Sequence, residues 1–424
     1  MQLIEELSDF IKNCPSPFHT VQTVVNMLGS AGFEKLTNAP LTDGGKYYTV
    51  RNGTSVIAFV YRSEGRGFSV SAAHTDTPNF RVKSTSEKIA AGAYTVLETE
   101  KYGGSIYYTW LDRPLSVAGR VLVRTESGAK TRLISVDRDL LVIPSVAIHL
   151  NRAVNDGAKF NPAVDLLPLY SAKTATGGFS ALIAKEACAR PEDVISYDLS
   201  VFVRDGVRTF GDSDEFILSP RLDDLACVYS CLKGFLEAEP TGRIPVLALF
   251  DNEEVGSETK QGAASTFLSD TLSRIGGENL ANLLSDSFSV SADNAHAKHP
   301  NHPEYSDPDH APVLGGGVVI KYNMAQHYAT DALSFALFSE ILRKSDVPSQ
   351  IYYNRADLPG GSTLGSISDT KVSIPTVDIG LPQLAMHSAV ETGHRADVLA
   401  GVQAMKAYYS ADFTVTDDGF TFLK

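Results

Sequence analysis

Four cysteines in a chain of 424 residues are too few and too scattered for a disulfide or zinc framework. Cys227 and Cys231 fall one turn apart on a predicted helix and read as core residues. Positive charge is also scarce. With 37 Lys and Arg against 50 Asp and Glu, the formal net charge is −13, which argues against nucleic acid or an anionic membrane surface as a partner. It follows that any taste for acidic ligands needs a local cation. No apolar stretch approaches the ~20 residues of a membrane-spanning helix. The opening Met1-Gln2-Leu3-Ile4-Glu5-Glu6-Leu7 is acidic and amphipathic, without the basic start and apolar middle of a leader. These features predict a cytoplasmic location. Repeats, low-complexity tracts, a His-Glu-x-x-His helix and a phosphate-loop continuation after Gly315-Gly316-Gly317 or Gly360-Gly361 are all missing. Hydrophobic residues at 43% and charged residues at 21% describe a folded chain, and its length predicts two domains.

What the chain does have is acid and imidazole at strand ends. The apolar run Ile244 to Phe250 reads as a buried strand and leads into Asp251-Asn252-Glu253-Glu254. Phe68 to Ala73 leads into His74-Thr75-Asp76, Phe288 to Ala292 into Asp293, and Thr376 to Gly380 is followed by His387. Ligands of open α/β sheets gather beyond the carboxyl ends of the strands. Asp223 joins the set just before the amphipathic run Leu225 to Leu236, at a helix N-terminus that favours negative charge. Two imidazoles and three carboxylates can hold two divalent ions if one carboxylate bridges, with positions left for water. Asp223, Glu254 and Asp293 return three of the four positive charges, and the residual charge lowers the pKa of a shared water. Adjacent glutamates after a strand point in different directions, so Glu254 can bind metal while Glu253 moves the proton.

These segments resemble the aspartyl aminopeptidase family of cocatalytic zinc exopeptidases over nearly the whole chain. The matching stretches are His74-Thr75-Asp76-Thr77-Pro78, Ser219-Pro220-Arg221-Leu222-Asp223, Asp251 through Ser257, Ser291 through Ala297 with His299-Pro300-Asn301, and Pro382 through Ser388. The resemblance implies that His74 and Asp293 hold one ion, Glu254 and His387 the other, and Asp223 both. It also implies Asp76 as the group orienting His74 and Glu253 as general base. Ala147-Ile148-His149-Leu150-Asn151-Arg152 resembles a stretch whose histidine, here His149, reaches substrate in a neighbouring subunit. Ile320-Lys321-Tyr322-Asn323 resembles a substrate-side segment; the alternative for Lys321 is an exposed strand-end lysine. The family assembly implied is a homo-oligomer, a dodecamer built from dimers. The chain departs from the pattern at Asp224, where an asparagine is expected, and in Met324-Ala325-Gln326-His327 after Lys321.

The expected architecture is α/β: a zinc-exopeptidase α/β/α sandwich over 1–86 and 219–424, interrupted at 87–218 by a β-rich domain. Runs such as Ser105 to Trp110 and Gly119 to Arg124 supply the strand signals of that insert, which the resemblance makes a dimerisation domain and lid. Ser16 is expected to cap a helix that starts with Pro17, and a further helix is expected over Gly178 to Ala189. Gly361 lines the substrate cleft or belongs to a tight turn. His296, His299, His302 and His310 are spaced too irregularly to share one face. The expected function is removal of N-terminal residues from peptides, with Asp or Glu the family preference, by two zinc ions or alternatively manganese or cobalt. The alternatives are a dinuclear hydrolase of other amides, and an inactive oligomeric scaffold or cargo-binding protein.

Overall fold

The four strand candidates become neighbouring parallel strands. In the computed structural model, which describes residues 2–239, 241–358 and 360–423, they occupy the middle of a nine-stranded sheet. Its order from edge to edge is Glu34–Lys35, Lys46–Arg51, Ser55–Val60, Ile244–Phe250, Phe68–His74, Phe288–Ala292, Thr376–Gly380, Val318–Tyr322, Ser349–Tyr353. All residues of Ile244–Phe250, Phe68–His74 and Thr376–Gly380 are buried. Ile244–Phe250 reads as a continuous apolar run because neither of its faces meets water, whereas Phe68–His74 and Thr376–Gly380 bury Ser69, Ser71 and Asp378 among their apolar residues. The parallel register sets Phe250 beside His74 and Ala292 beside Ile379, so all four carboxyl ends open on one edge.

Alternate residues of one strand feed two different cores. Leu247 and Leu249 pack with helices Gln2–Asn13, Pro17–Ser30, Leu222–Glu237, Ala332–Lys344 and Arg395–Ser410. Val246, Ala248 and Phe250 face the other way, onto Phe267–Gly276, Leu280–Ser285 and Leu364–Asp369. This is the expected α/β/α sandwich. Cys227 and Cys231 are buried in the first core, and all four cysteines are free thiols. Among the described residues, no helix is long and apolar enough to cross a membrane.

A second sheet has six strands in the order Gly128–Ser135, Leu115–Thr125, Val194–Val203, Asn79–Ala90, Tyr94–Tyr102, Leu169–Ser171. It has its own apolar cluster around Phe80, Leu97, Trp110, Leu115, Val201 and Phe179. Its strand Asn79–Ala90 starts soon after His74 and runs through residue 86.

Three local expectations change. Ser105 to Trp110 is not a strand: Tyr107–Trp110 is a 3₁₀ turn, closed by Thr109 donating to the Ile106 carbonyl from both N–H and Oγ1. That turn drives Trp110 against Phe80, edge to face at 5.1 Å, which alternation along a strand would not achieve. The helix from Gly178 ends at Glu186. Helix Pro17–Ser30 does begin at Pro17, but Ser16 makes no side-chain bond to its backbone. Its Oγ meets His19 Nδ1 at 2.8 Å instead.

Candidate metal centre and active site

The strand ends, with the start of helix Leu222–Glu237, bring His74, Asp223, Glu253, Glu254, Asp293 and His387 to one place. His74 Nε2 lies 3.5 Å from Asp223 Oδ1 and 3.9 Å from Asp293 Oδ1. His387 Nε2 lies 3.2 Å from Asp223 Oδ2 and 3.4 Å from Glu254 Oε1. Asp223 thus presents one oxygen to each imidazole. Within 4.8 Å of one another lie ligand atoms of three groups: His74 with Asp223, Asp224 and Asp293; His74 with Glu253 and Glu254; and Asp223 with Glu254 and His387. His74 and Asp223 are 1% and 2% exposed. The helix carrying Asp223 spans Leu222–Glu237, but Asp223 and Asp224 have non-helical backbone angles and a cis peptide between them.

A layer of hydrogen bonds aims these side chains. His74 Nδ1 meets the Asp76 main-chain oxygen at 3.0 Å and the Asp76 carboxylate at 3.5 Å. That carboxylate also accepts the N–H groups of Glu253 at 3.1 Å and Glu254 at 3.2 Å. His387 Nδ1 faces the Gly104 carbonyl at 3.2 Å. Glu391 accepts the N–H of Asp223 at 3.0 Å and that of His387 at 2.8 Å. Imidazoles fixed through the second ring nitrogen, and carboxylates held from behind, are typical of metal sites.

The donor set fits divalent cations. Asp223 Oδ1, Glu254 Oε1 and Asp224 Oδ1 are buried with no hydrogen-bond partner among the described residues. Oxygens left bare in a low-dielectric site are costly unless a cation meets them. The crowding shows in the acidities. Burial first, then Asp293, Asp76 and Asp223, pushes the Glu253 carboxyl up to about 8. Burial and Asp223 push Glu254 well above the carboxylate range. His74 is held well above its ordinary value by Asp224, Asp223 and Asp76, against the opposing effect of burial.

Asp224 reads from the sequence as a departure at the bridging segment. Its Oδ2 accepts the His74 N–H at 3.1 Å, and it is fully buried. Lys321 is buried rather than exposed at its strand end, 2% accessible, and its ammonium serves Asp293. His149 is exposed, in a loop with exposed Val146, Ile148 and Leu150. Gly361 is exposed, and a Cβ there would meet open space. His302 pairs with Glu304 and His310 with Asp307, both at 3.0 Å. Among the described residues, none of the histidines from His296 to His310 joins a ligand group.

Sequence reasoning passed over Glu391, Tyr102 and Gly104. Glu391 carries a weak signal, an acid four positions from His387. Tyr102 and Gly104 carry none, because they arrive from the other sheet.

The model for the aminopeptidase I zinc metalloprotease (M18) family matches residues 10–409. A probable M18 family aminopeptidase 2 of Clostridium acetobutylicum is 42% identical, over 97% of this chain and 99% of that one. An aspartyl aminopeptidase of Dictyostelium discoideum is 36% identical, over 97% of each. The structure of the S. cerevisiae mApe1 dodecamer superposes with a TM-score of 0.83 at 26% identity, over 96% of each chain.

Proposed function

The chain belongs to the M18 zinc metalloprotease family and is a metal-dependent aminopeptidase, and we propose that it works with two ions held by the cluster above. In this reading His74 and Asp293 serve one ion, Glu254 and His387 the other, and Asp223 both. The observation that carries it is the convergence of these five side chains, with Glu253 beside them and bare buried oxygens among them. Zinc is the ion we assign, with manganese and cobalt as alternatives that an oxygen-rich set also accepts.

Bound metal supplies Lewis acidity for the scissile carbonyl and anchors the peptide's free amine. Glu253 takes the proton of the attacking water and delivers it to the departing amine. Its position suits it to this, since it lies beside the ligand carboxylates without being assigned to either ion. Asp76 keeps both glutamates in register through their N–H groups and orients His74.

We assign residues 1–86 and 219–424 to the catalytic domain and 87–218 to a dimerisation and lid domain, although the first cut falls inside the strand Asn79–Ala90, whose residues from Asn79 on already belong to the second sheet. The separate apolar cluster of the second sheet supports that division. Exposed Val146, Ile148, Leu150 and Val164 support docking of another copy, which would carry His149 to a neighbouring site. The dodecameric relative supports a homo-oligomer, read here as a dodecamer of dimers. The name of the Dictyostelium relative supports Asp and Glu as preferred N-terminal residues. Lys321 adds positive charge on the Asp293 side, and the Gly361 backbone is assigned to the substrate cleft. Four free thiols support a reducing compartment, the cytoplasm.

The deciding experiment is Glu253→Gln. It should retain zinc while turnover falls by about 10²–10⁴; unimpaired cleavage rejects the assignment. Comparing a free dipeptide with its N-acetylated form separates an aminopeptidase, which rejects the blocked peptide, from a general amide hydrolase. The inactive-scaffold alternative is not favoured, because the base and every ligand candidate are present.

A further inference from the structure

One short segment of the second sheet touches both sides of the metal cluster. The antiparallel register that pairs Asn79 with Tyr102 folds the end of that hairpin back over Asp76. The Tyr102 hydroxyl donates to Asp76 Oδ2 at 2.7 Å and accepts from Asn252 Nδ2 at 2.8 Å. The Arg81 guanidinium covers its ring at 4.3 Å. Two residues on, the Gly104 carbonyl faces His387 Nδ1 at 3.2 Å, and Ile106 N–H donates to the His387 carbonyl at 2.9 Å. Between them, Gly103 sits at φ +74°, and a Cβ there would come within 3.1 Å of Glu254 Cβ and Oε2.

We infer that Tyr102, Gly103 and Gly104 form a positioning brace, fixing the His74 side of the centre relative to the His387 side. The insert would then serve catalysis within its own chain, apart from any part in docking between copies. Tyr102 touches neither metal nor substrate in this scheme and acts through Asp76. That carboxylate already takes two N–H donors from the glutamate pair, and the Tyr102 hydroxyl is a third donor that stops it from rotating. Without the hydroxyl, Asp76 loses one donor and Asn252 loses its acceptor. Glu253 and Glu254 then lose the fixed backbone from which they reach the centre. Constellations of this kind tolerate displacements of only ~0.5 Å. The inference rests on the two-ion reading above.

The test uses the full-length zinc enzyme. Tyr102→Phe keeps the ring under Arg81 and removes only the hydroxyl. Loss of an outer-layer partner typically costs about tenfold to a hundredfold in metal affinity or activity. The expected result is a fall of that size in kcat at unchanged KM, with weaker zinc retention against a chromogenic chelator and little change in Tm. Gly103→Ala should weaken one of the two zinc equivalents more than the other, since its methyl group presses on Glu254. Wild-type kcat and zinc retention in Tyr102→Phe overturn the brace. If that variant does not fold, Gly103→Ala decides, and two equivalents held as in the wild type overturn it. A wild-type protein that neither binds zinc nor cleaves peptides sinks the underlying two-ion reading instead, so the two failures are distinguishable.

Discussion

Lys321 donates from Nζ to the main-chain oxygen of Asp293 at 2.7 Å and lies 3.8 Å from its carboxylate. The strand Val318–Tyr322, antiparallel to Thr376–Gly380, thereby reaches across to the end of Phe288–Ala292. Asp293 in turn holds the Lys321 ammonium protonated, against the effect of burial. Removing one partner of a buried pair leaves the other uncompensated. Lys321→Met should therefore cost about 3 kcal/mol of stability and loosen metal retention. Lys321→Arg should not rescue it, because a planar guanidinium does not fit where a compact ammonium sits. Denaturant midpoints with and without zinc check both statements.

Metal removal should be felt in the fold as well as in turnover. Burial first, then Asp293 and Asp223, raises the Asp224 carboxyl, and burial with Asp223 raises that of Glu254, so ions that meet these oxygens relieve both costs. Dialysis against a chelator should abolish activity and lower Tm. Ions at a hundred times their dissociation constant stabilise a fold by about 2.7 kcal/mol. Adding back zinc, manganese or cobalt separately, and reading both Tm and turnover, identifies the ion that restores both.

His149 offers a complementation experiment. His149→Ala alone should lower activity by about a hundredfold with dimers intact. Mixing it with Glu253→Gln subunits should then restore about a quarter of the wild-type rate, because a two-fold pair gives some sites both native groups. If His149 acts within its own chain, the mixture stays inactive. Unfolding, re-mixing and assaying the two variants settles which.

The His19 imidazole gives the folding equilibrium a slope on the acid side. Burial holds it down at about 4, against ~6.5 in an unfolded chain. The unfolded state therefore binds a proton that the native state refuses. Stability is full above about 6.5 and falls as pH drops toward 4, by about 3.4 kcal/mol in all. His19→Gln should flatten the urea-midpoint profile across that window and leave activity at neutral pH unchanged.

The site was largely legible in the sequence for a local reason. Phe68–His74, Ile244–Phe250 and Thr376–Gly380 are wholly buried and Phe288–Ala292 nearly so, so apolar and small residues mark where each strand ends. His74, Asp251 and Asp293 are then conspicuous where three of them end, whereas His387 comes seven positions after Gly380. Ser105 to Trp110 misled because aromatic alternation is shared by strands and by a tight turn that packs its tryptophan on Phe80.

By itself, the sequence determined which chemistry the chain can offer: where each strand stops and which acid or imidazole comes next. Only the tertiary structure decided that Asp76 serves both glutamates, that Lys321 is spent on Asp293, and that Tyr102 and Gly104 arrive from the other sheet. Burial of an apolar run is written into consecutive residues. A hydrogen-bond partner such as Asn252 for Tyr102 depends on strand order and register, which no local pattern contains.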